Sequence, residues 1–179
     1  MVPADDETIP FSNVTFFEAD GELDLDGITD LAALKETLSA VVEEQGANLF
    51  YMVKIEGTFD TLKVRSEYKQ EKPYRELDVA LASDQVEFDY ADIRGTLVGL
   101  YCPAYMQGLN SVGWHFHFIS EDLARGGHVL QVNIEKAKAA FDATDGFSMF
   151  VPGEEDFQKL ELSRNMDEAI NRAETATNE

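Results

Sequence analysis

The sequence predicts an α+β fold in which a mixed β-sheet or partial barrel forms the core, carries a three-histidine cluster and is flanked by helices. From Leu49 to Leu130, short apolar runs alternate with polar residues at the period of two that strands require. An apolar stripe at helical spacing precedes this region, and a charged segment with scattered apolar residues closes the chain. Hydrophobic residues make up 44% of the chain, with 12 Phe and 6 Tyr, which suits a packed interior and excludes a disordered chain. At 179 residues, without repeat or linker, residues 1–179 read as one domain, of which polar residues 1–10 are flexible.

In chain order, Val14-Thr15-Phe16-Phe17 is a short β-favouring run, followed by an acidic loop from Asp20 to Gly27. Leu31, Leu34, Leu38 and Val41-Val42 then recur at helical spacing. Thr29 or Asp30 caps this helix over 30–45, and Gly46 stops it. Tyr51, Val53 and Ile55 share one strand face until Gly57 breaks the run. A second strand resumes at Phe59, with Leu62 and Val64 alternating against Lys63 and Arg65 up to Ser66. Lys72-Pro73-Tyr74 is a loop. Further strands are expected at Val86–Tyr90, at Gly95–Tyr101 before Pro103, at Trp114–Ile119, at Gly127–Val132 and at Phe147–Val151. Residues 154–174, with Phe157, Leu160, Met166 and Ile170, read as a closing helix.

Charge and cysteine content narrow the functional classes. Lys+Arg is 14 and Asp+Glu is 35, a net charge of −21 that repels phosphate backbones and anionic lipid. No nucleic-acid or membrane partner is therefore expected. Met1 to Glu7 carries neither the basic region nor the apolar stretch of a signal peptide, so the expected location is the cytoplasm. The single cysteine, Cys102, excludes an intramolecular disulfide and reads as a buried small hydrophobe rather than a nucleophile. Gly95 to Gly99 lacks the lysine and spacing of a phosphate loop, and Asp24-Leu25-Asp26-Gly27 lacks the rest of a calcium loop.

The histidines carry the chemistry. The chain has three, and all fall between His115 and His128. His115 and His117 stand two apart on a strand and face one side, while Phe116 and Phe118 face the other. A turn containing Gly126-Gly127 lets a returning strand bring His128 beside them. Three converging imidazoles are the ligand set of an open zinc site, although similar clusters hold iron, manganese or nickel in other barrels.

Val112-Gly113-Trp114-His115-Phe116-His117-Phe118-Ile119, with Gly126-Gly127-His128-Val129-Leu130, closely resembles the zinc motif of α-acetolactate decarboxylases. The resemblance continues through Ile9–Phe17, Asn48–Tyr51, Gly57-Thr58-Phe59, Val64-Arg65-Ser66, Gln70, Lys72-Pro73-Tyr74, Gly95–Gly99, Pro103-Ala104-Tyr105 and Asn110. It implies decarboxylation of α-acetolactate to (R)-acetoin and carbon dioxide, with Zn²⁺ held by His115, His117 and His128. It also implies that Arg65 binds near the substrate carboxylate, that Glu174 is a C-terminal active-site glutamate, and that the protein is a homodimer. Family members carry a further N-terminal region with an active-site glutamate; Asp20-Gly21-Glu22 follows Phe16-Phe17 and is not collinear with it. Trp114 stands where the family often has Tyr, and Leu123 where it often has Arg.

Two other classes compete with this enzyme. One is a non-catalytic metal-binding homologue, the other a cupin-like metal enzyme acting on another small keto or hydroxy acid. Strands near Val14–Phe17 are expected at an exposed edge, which favours a homodimer. Light scattering at tens of micromolar should report that dimer, weakening at low salt where the negative charges are poorly screened.

Overall fold

The computed structural model describes residues 11–163, 165, 167, 169 and 170. Five strands form its body: β1 (Gly21–Ile28), β2 (Phe50–Glu67), β3 (Gln85–Cys102), β4 (Gly113–Ser120) and β5 (Gly126–Thr144). Their order is β1-β5-β2-β3-β4, and β4 also pairs with β5, so β2, β3, β4 and β5 close a ring. A partial barrel was the expectation, but the sheet is not mixed: every pairing between these strands is antiparallel. The core inside it comprises Tyr51, Val53, Ile55, Phe59, Leu97, Phe116, Phe118, Ile134 and Phe141 among others.

Helix α1 (Leu31–Gln45) matches the predicted span. Asp30 caps it, its carboxylate accepting the Ala33 N–H at 2.8 Å, and the Gly46 N–H closes it on the Val42 carbonyl. Leu34, Leu38 and Val42 are its buried stripe. Trp114 Nε1 donates to Ser39 Oγ at 3.2 Å, tying the helix to β4.

Several elements differ from expectation for identifiable reasons. The acidic stretch at 20–27 is strand β1 rather than a loop. Leu25 is buried and Leu23 packs on the core, while Asp24 and Asp26 lie across from Lys138 and Lys136 of β5. Partner charges and a shared core make this strand, not its weak β-propensity. Val14–Phe17 is not a strand; it lies along the surface, with Phe16 98% exposed, and β1 is the open edge of the sheet instead. Gly57 does not end a strand. A side chain there would meet the Ala137 Cβ at 2.6 Å, so the glycine permits β2 to approach β5 and run on through this position. Likewise β3 fuses two predicted strands, and β5 runs 12 residues beyond Val132.

Helix α2 (Leu77–Asp84), which buries Ala80 and Leu81, has no counterpart in the sequence reading. Phe147–Val151 is not a strand, and the predicted closing helix is interrupted: α3 (Glu155–Gln158) is a single turn, 159–163 lie outside any helix, and Asp167, Ala169 and Ile170 are helical. Residues 1–10, Met166 and Glu174 lie outside the described residues. No helix among the described residues is long and apolar enough to cross a membrane.

Two irregularities position the site, a face change within β2 and a register shift against β5 between Lys63 and Val64. Along β2 the buried residues are first Tyr51, Val53, Ile55 and Phe59, then Leu62 and Val64, so the inward face shifts from odd to even positions. The slip occurs at Asp60, between the pairs Phe59↔Ile93 and Thr61↔Ala91. Opposite it, Asp92 holds a φ of 51°. Aspartate tolerates this left-handed conformation better than most residues, and a β-branched side chain does not. Asp92→Val is therefore expected to lower stability by roughly 1–3 kcal/mol, whereas Asp92→Gly should leave it within about 1 kcal/mol of the parent. Urea unfolding of the two variants measures the difference.

Candidate metal centre

Strand β4 places Trp114, Phe116 and Phe118 in the core, with Phe118 meeting Phe59 edge-on at 5.5 Å. His115 and His117 consequently face outward. The turn to β5 is held by Ser120 and Asp122. Ser120 Oγ donates to the Asp122 carboxylate at 2.6 Å and accepts the Arg125 N–H at 3.0 Å. The Ser120 hydrogen bond above all, with the Ala124 N–H and the Arg125 guanidinium, holds the Asp122 carboxyl below the usual carboxylate range. Gly126 and Gly127 then bring β5 back, pairing His128 directly with His117.

The three rings converge. Their centroids are 4.9, 4.7 and 5.5 Å apart, and one ligand nitrogen from each lies within 4.8 Å of the others. His115 Nε2 and His117 Nε2 are 2.9 Å apart. The nitrogens of a tetrahedral zinc site, with Zn–N of about 2.0–2.1 Å, stand about 3.3 Å apart. Small side-chain rotations bring this set to that spacing, and the partial exposure of the rings leaves room for further ligands. The donor set fits a metal ion.

Arg65 joins the cluster through register, since it pairs with His128 across β2 and β5. Directly opposed residues share a face; the slip at Asp60 turns Arg65 to the outward side, and a register shift between Lys63 and Val64 in the β2–β5 ladder sets it opposite His128. The guanidinium is held rather than solvated: Arg65 is 4% exposed, and its Nη1 donates to Gln85 Oε1 at 3.4 Å.

The sequence reading missed Gln85 and Glu87. Glu87 lies across from Arg65 and accepts from Lys63 Nζ at 3.2 Å, a bond that holds the Lys63 ammonium above its ordinary range, with the Asp89 charge adding to it. The alternation Gln85-Val86-Glu87-Phe88-Asp89 was the available signal for these polar neighbours. Cys102 is buried, and burial pushes its thiol up, away from nucleophilic use.

A profile of the alpha-acetolactate decarboxylase family matches residues 1–164. The chain belongs to this family. A protein of Methanosarcina mazei named alpha-acetolactate decarboxylase is 42% identical over 167 residues, which are 93% of this chain and 57% of that relative. One of the same name from Methylococcus capsulatus is 37% identical, over 92% of this chain and 62% of its own length. The chain thus spans about three fifths of the length of these relatives. The crystal structure of alpha-acetolactate decarboxylase from Bacillus subtilis strain 168 superimposes with a TM-score of 0.85 at 29% identity, covering 90% of this chain and 68% of that one. The antiparallel sheet is therefore the family's fold.

Two measurements test the centre. Metal analysis should find one divalent ion per chain, and His117→Ala should reduce it to a small fraction. At Gly127, φ is 152° and a Cβ would sit 2.5 Å from the Arg65 carbonyl oxygen. Gly127→Ala should therefore push β5 off β2 and weaken metal binding by about tenfold or more, a loss typical of disturbed ligand support, while His115 and His117 stay intact.

Proposed function

We propose that this protein catalyses the zinc-dependent decarboxylation of α-acetolactate to (R)-acetoin and carbon dioxide, as a carboxy-lyase. The reading is supported above all by the register Arg65↔His128↔His117, in which a buried guanidinium adjoins three converging imidazoles. Family membership and the names of the relatives favour the same reaction. His115, His117 and His128 are the residues that would hold Zn²⁺, which when bound acts as a Lewis acid on the oxygen where charge develops.

The chain's own groups divide the remaining work. Arg65 grips the substrate carboxylate bidentately and fixes the scissile bond; Gln85 keeps the guanidinium plane in place. Loss of carbon dioxide leaves an electron pair on the adjacent carbon, and a carboxylic acid delivers a proton there from one face. Glu174 takes that role and sets the configuration of acetoin. The open β1 edge favours a homodimer, and the lone thiol of Cys102 suits a cytoplasmic protein.

Zinc-loaded protein incubated with racemic α-acetolactate should release acetoin, and chiral chromatography should find the R form in excess. Arg65→Ala should cost both binding and turnover, and Arg65→Lys should cost less because it keeps the charge without the planar fork. Glu174→Gln should bind substrate normally yet slow acetoin formation by about a hundredfold or more, or erase its stereochemical bias. Full rate and unchanged enantiomer in Glu174→Gln would remove Glu174 from the mechanism.

A further inference from the structure

The histidines have a charged neighbour on one side and an aliphatic one on the other. Across the outward face, β3 contributes Val98 opposite His117 and Leu100 opposite His115, and β4 adds Ile119 two residues beyond His117. Arg65 lies on the far side, beyond His128. Val98 and Ile119 are 42% and 43% exposed on a chain of net charge −21. Single exposed apolar residues are ordinary, but these are adjacent to one another and abut the nitrogen donors.

We infer that Val98, Leu100 and Ile119 form the wall that receives the substrate's acyl group and limits its length. The inference rests on the proposed function, which puts the carboxylate at Arg65. An α-hydroxy-β-keto acid carries its carboxylate at one end and an alkyl group at the other, with two oxygens between them. With the carboxylate at Arg65 and the oxygens over the histidines, the alkyl end projects toward β3. There it meets side chains that exclude water and offer no hydrogen bond, the environment a methyl group prefers. The strip is one strand wide: beyond Val98 the register passes to Lys54, ion-paired with Glu56 at 2.8 Å. An acetyl methyl fits before that charged boundary, and longer chains run into it.

The test uses ligands that cannot decarboxylate, so it does not depend on turnover. These are the dihydroxy acid made by reducing the keto group of acetolactate and its homologue with one more carbon on that end. Calorimetry on zinc-loaded wild type should show tighter binding of the shorter acid. Val98→Ala should shift the preference toward the longer acid by about tenfold, the scale on which pockets discriminate one methylene. Ile119→Ala should shift it the same way, with zinc content unchanged in both. Equal preference ratios in wild type and both variants would overturn the wall. Arg65→Ala separates the two ideas, because it should weaken both acids alike. If Arg65→Ala leaves binding untouched, the proposed substrate orientation fails and the wall with it; if it weakens binding while the ratios stay fixed, only the wall fails.

Discussion

Closure of β4 onto β5 is the contact on which the rest of this molecule depends. Only His117↔His128, Phe118↔Gly127 and Ile119↔Gly126 make it. Without it the sheet is an open ribbon, and His128 is separated from the other two imidazoles. Both glycines let β5 approach its neighbours, Gly126 on the β4 side and Gly127 on the β2 side. A side chain at Gly126 would meet the Phe118 carbonyl oxygen at 2.7 Å, and one at Gly127 would meet that of Arg65 at 2.5 Å. Backbone atoms cannot step aside as a flexible side chain can, so closure and glycine come together.

The closed ring makes the site two-sided. Toward β2 it presents a buried guanidinium with Gln85 beside it, and Lys63 bonded to Glu87. Toward β3 it presents Val98 and Leu100. A strongly acidic protein thereby keeps one small region where positive side chains are gathered. The overall charge does not oppose this, because a buried arginine weighs more in the local field than distant surface carboxylates. Anchoring comes from the opposite face, where Trp114, Phe116 and Phe118 fill the core and fix the β4 backbone beneath the histidines. Residues of that strand alternate between the core and the face that carries the histidines.

The face slip at Asp60 and Asp92 is the second requirement. Were β2 to keep its odd positions inward throughout, Arg65 would point into the barrel with Tyr51, Val53 and Ile55. An uncompensated guanidinium among those side chains would cost several kcal/mol. The slip instead sends Leu62 and Val64 inward, and the register shift between Lys63 and Val64 then aligns Arg65 with His128. A local backbone irregularity thus sets which way Arg65 faces on a long strand.

Much of this was legible in the residues alone. The α1 stripe and its Asp30 cap are local, and so is the two-residue spacing that puts His115 and His117 on one face; periodicity and capping chemistry act within a few residues and need no partner. The Gly126-Gly127 return was readable because glycine marks close approach. Where the sequence reading failed, the deciding partner was distant. The acidic 20–27 stretch becomes a strand because Lys136 and Lys138 lie across from it, Gly57 stays within a strand because Ala137 leaves no room for a side chain, and Val14–Phe17 forms none. Gln85 and Glu87 were invisible as neighbours of Arg65 because cross-strand register brings them there from 20 and 22 residues away. The sequence by itself determined which residue types could bind a metal and which faces they share. Only the tertiary structure decided which strand each face would meet, because strand pairing is a contact between segments that local preferences cannot align.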